Sequence, residues 1–304
     1  MHKPRFRASL LMPRHWPAWL GAGMLRLLVL LPYGTIMHLG ALFGAAVAPL
    51  LRERRRVVAR NLAVCFPELE ESARMRLQTA VMRDMGMMLG EFALGWMAPD
   101  RKLARLPVRT EGLAHLQALR EQGRGALLVG GHFSHLELCA RLISRQVCIA
   151  GMYRRMDSDV FEWIVLRARL GYADAMFDKD ELRACVKYLK RGGSVWYAPD
   201  QDMRGKDSVF APFFGIAAST ITATHHLARL SGAAVIPFFH RREPNGGYTL
   251  RLEAPLEGFP TADIVADTAR INMLIERMAR EAPEQYLWAH KRFKTRPAGM
   301  PPVY

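Results

Sequence analysis

Cysteine is scarce in this sequence. The 304 residues include only four cysteines, and no two of them form a CxxC pair. This scarcity argues against a disulfide-stapled secreted domain and favours a protein of a reducing compartment. We therefore expect buried free thiols at Cys65, Cys139, Cys148 and Cys185.

Several nucleotide-binding and metal-binding motifs are also missing. The sequence has no P-loop and no HExxH pair, and no GxSxG elbow surrounds Ser134. The stretch GRGALL near Gly125 lacks the third glycine of a dinucleotide-binding loop. His132, His135 and Glu137 could hold a metal ion together, but no distant histidine or cysteine has ligand spacing to them. We therefore predict that the protein uses no metal and no cofactor.

Acidic residues are almost absent from the first 60 positions. Ten basic residues stand there against one acid, Glu53, and this excess supplies +9 of the formal net charge of +15. A field of this strength gathers polyanions such as nucleic acid, anionic lipid headgroups or an acidic protein. The sign of the charge alone does not choose among these partners.

An uncharged apolar stretch of 25 residues lies between Arg26 and Arg52. It is long enough for a membrane span by the criterion of about 20 residues. The residues that interrupt it are Pro32, Gly34 and His38. One span, or a helix near 16–31 followed by an interfacial helix near 33–51, fits the pattern equally well. We predict an N-terminal membrane-anchoring segment over residues 1–51, with a buried hairpin of apolar helices as the alternative.

From residue 126 onwards, short apolar runs alternate with helical stretches. The predicted strands are Ala126–Val129, Val147–Met152, Ser194–Ala198 and Ala233–Phe239, and the helices among them are Ser158–Leu170, Asp180–Arg191 and Ser219–Leu230. Further predicted elements are a methionine-rich helix at 69–96, a hairpin turn at 245–247, a strand at Tyr248–Leu252 and a last helix at about Asp263–Glu281. The alternation predicts an α/β domain over residues 52–304, with a mostly parallel central sheet flanked by helices.

Two histidines and a carboxylate follow the first of these strands in GGHFSHLE, residues 130–137. Ligands collect beyond the carboxyl ends of strands in open α/β sheets, and Gly130 and Gly131 permit the tight turn from which His132 emerges. A turn followed by one helical turn would bring Glu137 to one imidazole nitrogen, which leaves the other free to take a proton from a substrate hydroxyl. We predict that His132 and Glu137 are catalytic, without a protein nucleophile. The alternative is a packed or surface histidine.

Polar groups also follow two other predicted strands. Arg154 comes after the second strand, and the sequence PDQDMR comes after the third. Arginine can clamp a phosphate or a carboxylate with two parallel hydrogen bonds. We predict substrate contacts for Arg154, Arg167, Asp200, Gln201, Asp202 and Arg204. An ion pair of Arg154 with Asp200 or Asp202 is an equal alternative, and the aromatic loop at 209–215 suits either an acyl chain or the core.

Taken in order over essentially the whole chain, these motifs resemble the late (secondary) acyltransferases of lipid A biosynthesis, especially the lauroyltransferase branch. The similar stretches are MPRHWPAWLG, RRRVVARNLAVCFPE, GGHFSHLE, MYRRMD, VWYAPDQD, VFAPFFG, ARLSGAAVIPF and APEQYLWAHKRFKTRP. The histidine-x4-acid motif of that family falls on His132 and Glu137. Arg155 stands where members of the family often have proline.

The resemblance implies an inner-membrane enzyme with an N-terminal apolar membrane helix and a glycerolipid acyltransferase-like α/β domain on the cytoplasmic side. Its expected reaction moves a fatty acyl group, laurate or a similar chain, from acyl carrier protein to a 3-hydroxyacyl chain of a Kdo-bearing lipid A precursor. Both substrates are acidic, and the positive field suits them. Further candidates for anion contact are Lys206 and the run at 291–296.

Two other functions are compatible with the same features. One is acyl transfer to a glycerophospholipid from acyl carrier protein or coenzyme A. The other is a basic membrane-surface protein that binds nucleic acid or anionic lipid without chemistry. Aromatic stacking positions among the basic runs are sparse, so we expect no nucleic-acid partner.

Overall fold

The computed structural model describes residues 4–304. Two short 3₁₀ turns lead into three helices, α1 Trp16–Leu28, α2 Tyr33–Val47 and α3 Arg52–Cys65. Pro32 stands directly before α2, where its missing N–H and fixed φ do not disturb a helix. Of the two alternatives that fitted the sequence equally well, the structure has the one with a helix break near this position. The alternative of one uninterrupted helix through the apolar stretch is wrong.

Within residues 4–304, no single helix combines the length and the apolar composition needed to cross a bilayer. The helices α2 and α3 meet both criteria only when they are taken together, and they are bent by 98° at their junction. The expected N-terminal membrane helix is therefore not found as a single helix.

The longest helix, α4 Glu71–Met97, forms a platform for α2. The two helices meet backbone to backbone, and a Cβ built on Gly86 of α4 would lie 2.6 Å from the Cα of Gly44 of α2. Helices approach this closely only where small residues line the contact. Ile36 of α2 is completely buried in the same interface. The N-terminal helices are therefore fixed against the side of the domain.

The outer faces of α1 and α2 remain uncovered. Their large exposed apolar side chains are Trp16, Leu20, Met24, Leu27, Leu39, Leu42 and Phe43, and Leu30 is exposed in the turn between them. The alternative of a buried hairpin of apolar helices is therefore wrong.

A seven-stranded sheet with the order β1-β9-β8-β2-β5-β3-β4 forms the centre of the domain. Its strands are β1 Val108–Glu111, β2 Ala126–Val129, β3 Ala150–Tyr153, β4 Met176–Asp178, β5 Ser194–Tyr197, β8 Ala234–Arg242 and β9 Tyr248–Leu252. All neighbours are parallel except β8 and β9, which pair antiparallel across the predicted hairpin turn. The remaining helices are α5 Asp100–Leu103, α6 Leu113–Glu121, α7 Leu136–Ser144, α8 Asp159–Arg169, α9 Leu182–Lys190, α10 Ala223–Ser231 and α11 Ile264–Glu281. The predicted mostly parallel α/β fold is confirmed.

The sequence prediction contains neither β1 nor β4 of the central sheet, and it also misses a separate hairpin. The strands β6 Ser208–Phe213 and β7 Ile216–Ile221 pair antiparallel over their whole length. The predicted loop at 209–215 is therefore largely strand. The helix predicted from Ser219 begins only at Ala223, because Ser219 pairs with Phe210 in the hairpin.

The sheet divides the core into two apolar layers. Side chains alternate along a strand, so Leu127 and Val129 of β2 pack into one layer, while Ala126 and Leu128 pack into the other. The four cysteines are free thiols, as expected. Cys148 is exposed, and the expectation that all four are buried is wrong for it.

Candidate active site

Gly130 and Gly131 turn the chain at the carboxyl end of β2. A Cβ on Gly130 would lie 2.5 Å from the carbonyl oxygen of Phe238. A Cβ on Gly131 would lie 2.9 Å from Cγ2 of Ile275. Neither position has room for a side chain, so the glycine pair allows the tight exit that places His132 at the edge of the sheet.

The imidazole of His132 is bound to the carboxylate of Asp200, which follows β5. Its Nδ1 lies 2.6 Å from Oδ1 of Asp200, and its backbone N–H donates to Oδ2 over 2.8 Å. The hydroxyl of Tyr286 donates to the same Oδ2 over 2.8 Å. The side chain of Asp200 is 2% exposed and that of His132 is 27% exposed. The buried carboxylate of Asp200 therefore accepts hydrogen bonds at both oxygens and orients the imidazole of His132, which remains partly exposed to solvent.

Burial and charge act in opposite directions on this pair. Burial alone would lower the pKa of His132, but the charge of Asp200 and its hydrogen bond outweigh burial and raise that pKa above its usual value. Burial would also raise the pKa of Asp200, but the charge and hydrogen bonds of His132 hold it well below its usual range. The carboxylate stays ionised, and it fixes which nitrogen of the ring carries the proton.

The predicted contact between Glu137 and His132 is wrong. The carboxylate of Glu137 accepts a hydrogen bond of 2.7 Å from the indole N–H of Trp96 and forms an ion pair with Arg169 of α8. Helix α4 fits closely against the first turn of α7, since a Cβ on Gly95 would lie 3.0 Å from the carbonyl carbon of Glu137. This packing directs Glu137 to α4 and α8 instead of the imidazole.

A largely apolar cavity of about 290 Å³ lies beside His132 and follows α7. The α7 side chains in its wall are Leu136, Glu137, Ala140, Ile143 and Ser144. The facing side chains include Ile149, Met152, Tyr153, Tyr172 and Met176. The aromatic stretch at 209–215, which was a candidate for binding an acyl chain, does not line this cavity.

Arg154, Asp200 and Gln201 lie near His132, as predicted. Arg154 lines the large cavity, and its exposed guanidinium lies 3.5 Å from Asp157. Gln201 and Asp200 line a second, very small cavity next to His132. The alternative in which Arg154 pairs with Asp200 or Asp202 is wrong, because the carboxylate of Asp200 is bonded to His132 and Tyr286.

The other predicted substrate contacts, Asp202, Arg204 and Arg167, have partners other than the imidazole of His132. Both carboxylate oxygens of Asp202 accept hydrogen bonds of 2.9 Å from Thr295, one from its backbone N–H and one from its hydroxyl. Arg204 donates to the same hydroxyl over 3.1 Å. Arg167 lies on the exposed side of α8 over the ring of Trp163. Asp202 and Arg204 therefore hold the C-terminal segment in place.

The basic run at 291–296 is only partly available to anions. Arg292 is buried and donates to the carbonyl of Ser219 over 2.7 Å and to the hydroxyl of Thr220 over 2.6 Å. Lys291 pairs with Glu53 at 2.8 Å. The prediction of anion contact is therefore wrong for Arg292, while Lys206 and Lys294 are exposed.

Three donors suited to a transition metal also lie behind the turn. One ligand atom from each of His135, Cys139 and His240 lies within 4.8 Å of the other two, and all three residues are buried. Sequence spacing did not reveal His240, because it reaches the cluster from β8, 105 residues after His135. This cluster differs from the set of His132, His135 and Glu137 considered from the sequence, because it shares only His135 with that set.

Sequence reasoning missed three partners in the site: Trp96, Arg169 and Tyr286. Tyr286 lies in APEQYLWAHKRF, one of the stretches similar to the acyltransferases, and this was the one available indication. Trp96 and Arg169 lie on helices that show no chemical motif.

Comparisons with known proteins agree with the sequence resemblance. The sequence model of the family described as bacterial lipid A biosynthesis acyltransferase matches residues 3–295. The chain is 42% identical to the lipid A biosynthesis lauroyltransferase of Escherichia coli K12 over 99% of both chains. It is 38% identical to the palmitoleoyltransferase of the same strain, over 99% of this chain and 98% of that one. A solved 1-acyl-sn-glycerophosphate acyltransferase from Thermotoga maritima aligns with a TM-score of 0.41 and 14% identity, over 81% of this chain and 97% of that one.

Proposed function

Because this chain belongs to the bacterial lipid A biosynthesis acyltransferase family, we propose that it transfers a fatty acyl group, laurate or a similar chain, from acyl carrier protein to a hydroxyacyl chain of a Kdo-bearing lipid A precursor. The observation that carries this proposal is the pair of His132 and Asp200 at the mouth of an apolar cavity. This pair can supply a base, and the cavity can take the chain that is transferred.

His132 acts as the general base in this proposal. Asp200 holds Nδ1, so Nε2 is the nitrogen that accepts the proton of the substrate hydroxyl. The hydroxyl oxygen attacks the carbonyl carbon of the thioester, and the carbon–sulfur bond breaks as the ester forms. The imidazolium then returns its proton to the departing sulfur. Asp200 stabilises the imidazolium between these two steps.

The cavity along α7 receives the acyl chain of the donor. Its wall begins at His132 and continues along α7 as far as Ser144. An acyl chain that enters with its carbonyl at the imidazole would lie against apolar side chains, where each buried methylene contributes about 0.8 kcal/mol. The ion pair of Glu137 and Arg169 closes one side of the cavity, and we assign Glu137 the role of a positioning residue there.

Exposed arginines supply the anion contacts in this proposal. Arg154 stands at the cavity beside His132, and its side chain is 77% exposed. Its guanidinium can pair with a phosphate of the acceptor or with an acidic carrier protein. Arg167, Arg204 and Lys206 are exposed further out on the surface and suit the same partners.

We also propose that residues 1–51 attach the acyltransferase domain, residues 52–304, to the cytoplasmic face of the bacterial inner membrane. Exposed apolar side chains recur on α1 at positions 16, 20, 24 and 27, which lie on one face of a helix. Exposed arginines flank this row, among them Arg14 before α1 and Arg54–Arg56 in α3. An apolar row between cations fits a surface of anionic lipid, where each cation contributes about 1 kcal/mol.

The decisive experiment measures transfer of labelled laurate from acyl carrier protein to the Kdo-bearing precursor. We expect His132→Ala to lose about 10²- to 10⁴-fold in rate, because the general base is removed. His226→Ala is the matched control, since it removes an exposed imidazole on α10 and should keep the wild-type rate. An undiminished rate for His132→Ala would overturn the assignment of the base.

A panel of substrates tests the donor and the acceptor separately. Lauroyl-coenzyme A replaces the carrier protein in one series, and a lysophospholipid replaces the lipid A precursor in another. We expect turnover to require both the carrier protein and the Kdo-bearing acceptor. Efficient acylation of the lysophospholipid instead would contradict the proposed acceptor.

A further inference from the structure

We propose that His135, Cys139 and His240 bind a transition-metal ion, with zinc as the preferred ion, in the core behind the His132 turn. His135 directly precedes α7, Cys139 lies one turn later on the same helix, and His240 lies on β8. One donor atom from each residue lies within 4.8 Å of the other two. The ion would act structurally, because none of its ligands contacts the cavity.

The two imidazoles have the spacing of metal ligands. Their Nδ1 atoms are 3.3 Å apart, and the rings meet at 67°. Two nitrogens at about 2.05 Å from a tetrahedral zinc are about 3.4 Å apart. The pair therefore needs almost no movement to share one ion, and the sulfur of Cys139 completes three of the four positions.

The two imidazoles are buried and contact each other. Among the residues that the structure describes, Nε2 of His135 and Nε2 of His240 are buried without a hydrogen-bond partner. An ion held by both Nδ1 atoms would leave the ring protons on these Nε2 atoms. A thiolate with two imidazoles is a donor set that zinc or copper(I) prefers over magnesium or calcium.

The charges next to the cluster also favour a cation. Asp84 and Glu91 of α4 are both buried against the single guanidinium of Arg242, which follows His240 by two positions on β8. One oxygen of Glu91 is buried without a hydrogen-bond partner. Glu91 therefore keeps part of its negative charge unpaired near Cys139, and a bound cation would offset it.

A bound ion would fasten α7 to β8. Strand β8 is the neighbour of β2, from which His132 emerges, and α7 begins four residues after His132. The ion would therefore fix the turn between β2 and α7 from its buried side. This structural role does not involve the substrate, so it can be tested independently of the proposed acyl transfer.

The test is the metal content of the full-length chain purified in detergent from cells grown with zinc or with cobalt. We expect one zinc per chain after dialysis, and a thiolate-to-cobalt charge-transfer band in the cobalt-grown protein. Cys139→Ser and His240→Gln should lose the zinc and the band. Cys185→Ser, which removes another buried thiol away from the cluster, should keep both.

Metal-free wild-type protein would overturn the proposal, and a hydrogen bond between the two imidazoles would then describe the cluster completely. Equal zinc in wild type and Cys139→Ser would overturn it as well, because the metal would lie elsewhere. The wild-type measurement needs no variant, so a poorly folding Cys139→Ser protein does not weaken the test. Neither result bears on acyl transfer, which is measured separately.

Discussion

His132 takes its carboxylate partner from a residue 68 positions further along the chain. Asp200 follows β5, which is the parallel neighbour of β2, so the carboxyl ends of the two strands lie side by side. Glu137 is closer in sequence but is held by Trp96 and Arg169. At the level of single residues, the proposed base is therefore oriented by a carboxylate from an adjacent strand rather than by the local motif.

Because Asp200, and not Glu137, contacts His132, variants of these two carboxylates should have different pH profiles. A base works only when it is neutral, so acyl transfer should rise as the pH increases through the pKa of His132. Asp200 raises that pKa, so Asp200→Asn should move the rise to lower pH. The variant should also lose about 10²- to 10⁴-fold in maximal rate, because the ring is no longer oriented.

Asp202→Asn is the control, because it makes the same change two positions away, in a carboxylate that binds Thr295. It should leave the midpoint of the pH profile in place. Glu137→Gln should also keep the midpoint and lower only the rate. A shift in Glu137→Gln without one in Asp200→Asn would contradict our assignment of Asp200.

At the level of elements, α7 connects the site to the far end of the cavity. Its residues at 136, 140, 143 and 144 all face the cavity, which is the periodicity of one helical face. In the proposed mode of binding, the helix therefore lines both the start of the acyl site, next to His132, and its far end.

Ser144→Leu should shorten the acyl chain that the enzyme prefers. The larger side chain fills the far end of the cavity, so a laurate donor loses the burial of its last methylenes while a decanoate donor does not. At about 0.8 kcal/mol per methylene, exclusion of two groups lowers the laurate-to-decanoate ratio of kcat/KM by about 15-fold. Arg145→Leu changes the next residue, which does not line the cavity, and should leave the ratio unchanged. An unchanged laurate-to-decanoate ratio in Ser144→Leu would show that the acyl chain does not bind along α7.

The contact of α2 with α4 depends on glycine. In Gly86→Ala, the new Cβ would lie within 2.6 Å of Cα of Gly44, and the backbone on both sides cannot yield. We expect a loss of about 1–3 kcal/mol in stability, read as a lower Tm in detergent.

Gly34→Ala on α2 is the control, since no atom lies within 4 Å of its new Cβ. It should be neutral or stabilising by up to about 1 kcal/mol. Equal melting of both variants would refute close packing of the two helices.

At the level of the whole molecule, exposed apolar side chains and an excess of arginines occur together at the N-terminal helices. The exposed apolar row of α1 lies among the arginines that make the first 60 residues strongly basic. The domain behind these helices carries the cavity and the imidazole. This arrangement supports the proposed attachment of the enzyme to the membrane that holds its lipid acceptor.

Binding to lipid vesicles tests whether the apolar and basic surface of the N-terminal helices attaches to a membrane. We expect tight binding to vesicles with anionic lipid that weakens as salt rises, because screening reduces the attraction of the arginines. Leu20→Ser combined with Leu27→Ser should reduce binding about 100-fold or more, since each leucine contributes about 1.5–3 kcal/mol when buried in lipid.

Leu182→Ser combined with Leu230→Ser is the matched control, because these leucines are exposed on α9 and at the end of α10. It should bind vesicles as the wild type does. Equal loss of binding in both double variants would show that the row on α1 has no special role.

The sequence by itself determined the class of the fold, five of the seven strands of the central sheet and the position of His132. These features depend on neighbours along the chain, because apolar runs define buried strands and a glycine pair defines the exit of β2. The similarity of ordered motifs to one family also required no coordinates.

Only the tertiary structure decided which groups meet. The partner of His132, the ion pair of Glu137 and the approach of His240 to Cys139 all join residues from separate elements. The order of strands in the sheet and the face that each helix buries place these side chains, and both arise from packing of the whole chain. The β6–β7 hairpin escaped prediction for the same reason, because its strands are stabilised by pairing with each other and by α11.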